Sequence, residues 1–279
     1  MKDLIPAGGP AEYKLGKGLP VDRDRWDRPL IKQLDGSPPV PYRRASTVAD
    51  VIESHYGLHQ WELRLTAQGL AQRPDLVQSI HTTRAPSPEF NEIVDTAMDV
   101  AGKNVASRNG STMHALTELL DRGVPIPKGL PSNIVAMLEK YQQAMERFEV
   151  LDTERFVVQD KIKVAGTYDR RVVDKLTGEI RIGDLKTGQR LEHQALKTPA
   201  QVAVYAAGQW YDDDGRREDH GADRDWGLLI WLPWSDDPRQ AVCEIRSLDL
   251  RIGRKAIMEA FRVERLRTMK PSHSMPLYP

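Results

Sequence analysis

Asp169, Asp184 and Lys186 carry the strongest chemical signal in this 279-residue sequence. They occur in Gly166-Thr167-Tyr168-Asp169 and in Gly183-Asp184-Leu185-Lys186-Thr187-Gly188. Alternate side chains of a strand share a face, so Asp184 and Lys186 project together while Leu185 turns into the core. Asp169 stands on the preceding strand. A tight turn at Thr177-Gly178 folds that strand back, and hairpin pairing then sets its carboxylate beside Asp184. Two carboxylates on one face repel and shift each other's pKa unless a cation lies between them. Hard divalent cations such as magnesium and manganese take such oxygen ligands. Held there, such an ion polarises a phosphodiester, lowers the pKa of a bound water and stabilises a leaving oxygen. A lysine alongside would orient or help deprotonate that water and offset charge on a pentavalent transition state.

An Asp-x-Lys triplet recurs by chance, and Glu12-Tyr13-Lys14 satisfies a looser form of it within a proline- and glycine-rich stretch. Charged residues at alternate strand positions also mark a solvated face. Context separates residues 184–186 from these readings. An apolar strand leads in, the partner Asp169 lies one hairpin back, and Thr187-Gly188 ends the strand. A helix follows, with Gln201 and Tyr205 at i and i+4 on one face.

The elements that must position these residues follow from periodicity. Residues 1–45, with Ala7-Gly8-Gly9-Pro10 and Ser37-Pro38-Pro39-Val40-Pro41, predict an extended arm. Thr47, with Asp50 three residues on, caps a helix through Val51 and Ile52. Helical spacing recurs over 89–107 and 132–148, and a further helix is expected from Ser111, after Asn109-Gly110, to Arg122-Gly123. Residues 154–186 predict strands. A helix of about 15 residues starts near Pro199. Strands at 226–234 and 241–247 and a helix over 249–268 complete the series. Trp226, Trp231 and Trp234 are expected in the core. This order predicts an α/β layered domain, a mixed sheet flanked by helices. The expected division is an arm (1–45), a single domain (46–270, helical to 150, catalytic core 151–270) and a tail (271–279).

Taken together, GTYD, GDLKTG and the downstream QxxxY resemble the motifs of RecB-type nucleases of the PD-(D/E)xK superfamily, which include phage and CRISPR-associated exonucleases. The resemblance covers roughly residues 107–210. It implies a restriction-endonuclease-like core with an N-terminal helical elaboration, and a metal-dependent exonuclease of recombination, repair or phage replication. It also implies Asp169, Asp184 and the Leu185 carbonyl as metal ligands, Lys186 as catalytic lysine, and Gln201 and Tyr205 near the DNA end or scissile phosphate. The family adds an upstream histidine after a glycine, and Gly110-Ser111-Thr112-Met113-His114 matches it. Glu118, one turn on, would hold the imidazole, bind a second metal or be a solvated carboxylate. Glu154 is a weaker acidic candidate. The implied partners are DNA, at its ends, and a recombinase or single-strand-binding protein. Rival readings are a non-cleaving DNA-end-binding module and a site-specific endonuclease on the same fold.

Composition bounds these expectations. Forty basic and forty acidic residues give no net charge, so a polyanion must be held by local patches. One candidate is the run Arg246, Arg251, Arg254, Lys255, Arg262, Arg265, Arg267 and Lys270, which also fits a salt-bridged helix. Arg43-Arg44, Arg170-Arg171 and His193 are further candidates. The single cysteine, Cys243, excludes the four-cysteine iron–sulfur cluster found in many RecB-type members. Gly16-Lys17-Gly18 is too short for a nucleotide-binding loop. No apolar run reaches bilayer length, and the expected setting is the cytoplasm, that of a bacterial host if phage-encoded.

Overall fold

A computed structural model describes residues 21–269. Glu12-Tyr13-Lys14, Gly16-Lys17-Gly18, Lys270 and the C-terminal tail lie outside the described residues, as does the side chain of His193. The described residues divide into two compact units, one of residues 54–114 and one of residues 21–53 with 115–269.

In the larger unit, strands β1 (Leu30–Ile31) and β2 (Val40–Pro41) pair antiparallel, and β3 (Arg43–Arg44) joins the main sheet parallel to a later strand. The stretch read as an extended arm is therefore partly anchored: Ile31 and Tyr42 are buried with Phe156, Val158 and Ala165. Proline is tolerated because these strands are short and marginal, where a missing donor breaks little of a ladder. Helix α1 (Ala45–Asp50) starts two residues before the expected Thr47 cap and does not extend through Ile52.

The smaller unit holds α2 (Tyr56–Gln72), α3 (Pro74–Thr82) and α4 (Pro88–Val100). Proline opens α3 and α4, where its missing N–H costs nothing, and the Ser87 hydroxyl accepts from the Phe90 N–H at 3.1 Å. Helix α4 stops at Val100, short of the expected 107, because the chain turns at Gly102 with φ +96°. Helix α5 (Val105–Asp121) then passes from one unit into the other. It runs straight through Asn109-Gly110-Ser111, which the sequence reading takes as its start. One interior glycine costs a helix only about 1 kcal/mol, and the buried Met113 and Leu116 downstream outweigh it.

The larger unit continues with α6 (Ser132–Met145), β4 (Phe148–Gln159), β5 (Val164–Asp174), β6 (Ile180–Lys186) and α7 (Lys197–Ala206). It ends with β7 (Gln209–Tyr211), β8 (Arg217–Glu218), β9 (Trp226–Trp231), β10 (Glu244–Asp249) and α8 (Leu250–Arg267). The main sheet runs β10-β9-β6-β5-β4-β7-β8, with β3 beside β5. Strands β6 and β9 are parallel and their other neighbours antiparallel, so α7 serves as the crossover that a parallel pair requires. This is the mixed α/β arrangement implied by the motifs. Strands β7 and β8 are additional to the expected order, being too short to show a period.

Helices α7 and α8 cover one face, where Ile182, Val202, Val204, Leu229, Leu250 and Ile257 form the core. The two helices touch at Gly253, where a Cβ would lie 2.1 Å from the Pro199 carbonyl oxygen. Gly253→Ala is therefore expected to cost about 1–3 kcal/mol and to displace α7, read as a lower urea midpoint. Of the three tryptophans expected in the core, none is fully buried: Trp234 is half-buried, and Trp231 packs against the edge of the core. Trp226 is exposed and Trp231 half-buried, each with an arginine over its ring (Arg251 and Arg246). Leu228, Leu229, Ile230 and Leu232 fill the core instead. The indole N–H explains this: that of Trp231 donates to the Gly188 carbonyl at 2.8 Å, a partner the apolar interior lacks.

Candidate active site

Strands β5 and β6 pair with Arg170 opposite Gly183 and Arg171 opposite Ile182. One step further along this register sets Asp169 beside Asp184. The Asp169 carboxylate accepts from the Leu185 N–H at 2.7 Å, and the Leu185 side chain is fully buried. Asp184 is 2% exposed, and its Oδ2 lies 2.7 Å from Lys186 Nζ. Burial pulls the Lys186 pKa down, but Asp184 and Asp169 outweigh it and raise the value. Lys186 is thus an ammonium in this arrangement, suited to donating a hydrogen bond and offsetting negative charge rather than to removing a proton from water.

Strand β4 supplies a third carboxylate. Strands β4 and β5 pair Thr153 with Arg170 and Arg155 with Tyr168, so Glu154 stands across from Asp169. Glu154, Asp169 and Asp184 form a row over three adjacent strands. The strand alternation slips at this row. Thr153 donates to Glu118 of α5, and Arg170 to Asp121 of α5. Two residues on, Arg155 and Tyr168 instead meet Trp210, which packs on the α7 side of the sheet. A two-residue step should keep its face; here it changes face. Glu154 sits at the slip with φ +52°, a conformation costly for a side chain with a Cβ. Burial, and after it Asp169 and Glu118, push the Glu154 carboxyl up to about 8.

His114 is the last residue of the smaller unit, within the continuous helix α5. His114, Glu154 and Asp169 each offer a ligand atom, and these atoms lie within 4.8 Å of one another. Asp169 is thus shared between that group and Asp184 on the next strand. Glu118 is 6% exposed and is held by Thr153 Oγ1 at 3.1 Å and by Arg122. Of the readings left open for it, the solvated carboxylate is ruled out. Crowded carboxylates with one imidazole suit a hard divalent cation: each carboxylate raises the cost of charge on the next, and a dication reverses that sign.

On α7, Gln201 Nε2 donates to Tyr205 Oη at 2.9 Å, as the i, i+4 spacing predicts. Tyr205 is buried, and its phenol is held well above its ordinary pKa. Burial is the main cause, Gln201 opposes it, and Asp184, Asp169 and Glu154 add to it. The phenol keeps its proton and feels all three carboxylates. Gly166 makes room for the ring: a Cβ there would lie 2.9 Å from Tyr205 Cε1. Behind α7, the buried His220 meets the Tyr205 carbonyl through Nε2 at 3.0 Å and accepts the Ala222 N–H at Nδ1. That pairing puts the proton on Nε2 and anchors the end of the helix, a role no sequence motif signals.

Residues 75–241 match the PD-(D/E)XK nuclease superfamily. The chain belongs to that superfamily. No curated protein matches it. Membership makes the protein a metal-dependent nuclease with DNA as the implied substrate.

The PD-(D/E)XK nuclease engages most of its expected DNA-contacting residues internally. Arg170 is 1% exposed and bonded to Asp121 at 3.0 Å and Thr117 at 3.2 Å, beside the Tyr141 ring. Arg171 pairs with Asp152 at 2.7 Å and lies over Trp210. Arg43 pairs with Glu264, and Arg44 with Asp27. In the C-terminal run, Arg246, Arg251, Arg254 and Arg262 pair with Glu244, Asp249, Asp225 and Glu259. For these four the salt-bridged helix and strand is the better description, because near acids cancel the local excess. Among the described residues no helix is long and apolar enough to cross a membrane.

Proposed function

We propose that this PD-(D/E)XK nuclease is a RecB-type exonuclease that hydrolyses phosphodiester bonds at DNA ends in recombination, repair or phage replication, using magnesium or manganese. The observation that carries the catalytic part is the three-strand carboxylate row with the Lys186 ammonium 2.7 Å from Asp184. The end preference and the setting, with a recombinase or single-strand-binding protein as partner, are supported by the GTYD, GDLKTG and QxxxY resemblance.

His114, Glu154, Asp169, Asp184 and the Leu185 carbonyl would hold the ion. When bound, it supplies Lewis acidity to the phosphodiester and acidifies water. The remaining work falls to the protein. The Lys186 ammonium offsets charge on the phosphoryl oxygens as the water oxygen gives up a proton to solvent and bonds to phosphorus, and the ester oxygen departs and takes a proton from solvent. Tyr205, kept protonated, and the Gln201 amide offer donors to the phosphate and orient it. Glu118 braces Thr153 and, with it, the slip that aims Glu154.

The test is cleavage of 5′- and 3′-labelled single- and double-stranded DNA with magnesium or manganese. Mononucleotide release from linear DNA with closed-circular DNA left intact is expected. Cutting of the circle would replace the end-acting reading with an endonuclease, and no metal-dependent cutting would leave only DNA binding. His114→Ala is expected to weaken manganese binding by about tenfold or more, measured by calorimetry. Unchanged affinity would remove His114 from the ligands.

A further inference from the structure

Next to the carboxylate row the larger unit has a half-open cavity of about 210 Å³. Its lining includes Arg23, Arg44, Ser46, Thr167, Gln201 and Tyr205. Gln201 and Tyr205 are the motif residues of α7. Thr167 lies two residues before Asp169 on β5, roughly 7 Å along a strand. The cavity is therefore walled in part by residues of β5 and α7 that adjoin the carboxylate row.

Its chemistry is the inverse of that centre. Among the described residues lining it there is no carboxylate; the polar groups are two guanidiniums, three hydroxyls and an amide, all able to donate. Arg23 and Arg44 share one counter-ion among the described residues, Asp27, which lies 3.4 Å from Arg23 Nη1 and pairs with Arg44. Two cations against one carboxylate leave an excess positive charge. The Asp27 side chain is 56% exposed, and exposed ion pairs hold weakly, so a phosphoryl group competes with it: a terminal phosphate through its greater charge, an internal one through the further contacts of its strand. Guanidinium forks match phosphoryl oxygens, with two parallel hydrogen bonds available to each. The volume falls below the roughly 300–1,000 Å³ of sites that enclose a whole small molecule. It suits one substituent of a larger ligand.

We infer that this cavity binds a phosphoryl group of the nucleic-acid substrate beside the one that is cut, with Arg23 and Arg44 recognising it. The inference rests on the nuclease reading for its ligand, but its test does not depend on cutting. The phosphoryl group is either the terminal phosphate of a DNA end or a neighbouring phosphate within the strand, and the arms of the experiment separate the two.

The experiment measures binding of the full chain in EDTA, by fluorescence anisotropy. The probes are short DNA strands ending in 5′-phosphate, in 3′-phosphate or in hydroxyls only, and a closed DNA circle. Arg23→Met and Arg44→Met are each expected to weaken binding roughly tenfold. Asp27→Asn is expected to tighten it up to about fivefold. Asparagine suits the left-handed backbone at that position, where φ is +60°, so the fold is retained. If the cavity takes a terminal phosphate, the substitutions act only on strands with that phosphate. If it takes an internal one, they act on all four probes alike. The inference is overturned if both arginine variants bind every probe as the unmodified protein does. It is equally overturned if no probe binds, or if Asp27→Asn weakens binding as the arginine variants do, which would mark a structural effect. Metal-dependent cleavage is scored separately on the unmodified protein. Its absence with this binding pattern intact would end the nuclease reading alone.

Discussion

Asp184→Asn is expected to lower metal-dependent DNA cleavage by about a thousandfold, the loss typical of removing a group that stabilises charge at the reacting centre. The substitution keeps the shape of the side chain and removes one charge from a residue that is 2% exposed. Lys186→Met is expected to cost a similar factor for a different reason, and metal affinity separates the two. Losing the carboxylate weakens manganese binding. Losing the ammonium 2.7 Å from that carboxylate leaves the binding unchanged or stronger, because a competing cation has gone. Circular dichroism would check that both variants stay folded. Full cleavage by purified Asp184→Asn protein would end the assignment of the centre to this row.

Glu154→Gln is expected to move stability and function in opposite directions. In the metal-free protein the Glu154 carboxyl is penalised by burial and by Asp169 and Glu118. A neutral isostere removes that penalty, and allowing for partial exposure the gain is about 1–2 kcal/mol near pH 8. The sign follows from protonation. The folded carboxyl titrates near 8 against an ordinary 4.5, so the unmodified protein loses this stability as pH rises from 4.5 to 8, and the glutamine variant does not. Chemical denaturation in EDTA at pH 5 and pH 8 would show the two proteins diverging. With manganese present the order reverses, because only the unmodified protein gains binding energy at this position. A glutamine variant that is no more stable at pH 8, and binds metal equally well, would remove Glu154 from the centre.

Much of this centre can be read from spacing. Glu154 to Asp169 and Asp169 to Asp184 each span fifteen residues, and a turn falls near the middle of each span, at 160–163 and 175–179. Two hairpins of equal arm length place three acids in one row. The motif at 183–188 makes the second hairpin conspicuous. The first has no such motif, and Glu154 stands out only once the register is known. Its left-handed φ and the face change around it lie beyond any period-two pattern. Helix α5 fails for another reason. Asn109-Gly110 is a strong local turn signal, and burial of residues further along the helix overrides it. The arginines mislead because charge in a sequence does not say whether an acid from another strand will reach it. Arg170 follows the central acid Asp169 directly, yet it is drawn inward by Asp121, 49 positions away.

That inward guanidinium has a consequence for how variants of this enzyme would be scored. Asp169 and Arg170 are neighbours on one peptide, with one proposed to serve the ion and the other tied to Asp121 and Thr117 beside the Tyr141 ring. Uncoupling a buried ion pair of this kind costs about 3–5 kcal/mol, and the backbone that relaxes is the one bearing Asp169. A saturation screen read out by activity alone would therefore flag Asp121 and Tyr141 as if they performed chemistry. Genetic dependence on these two positions would instead report how stiffly one strand is mounted.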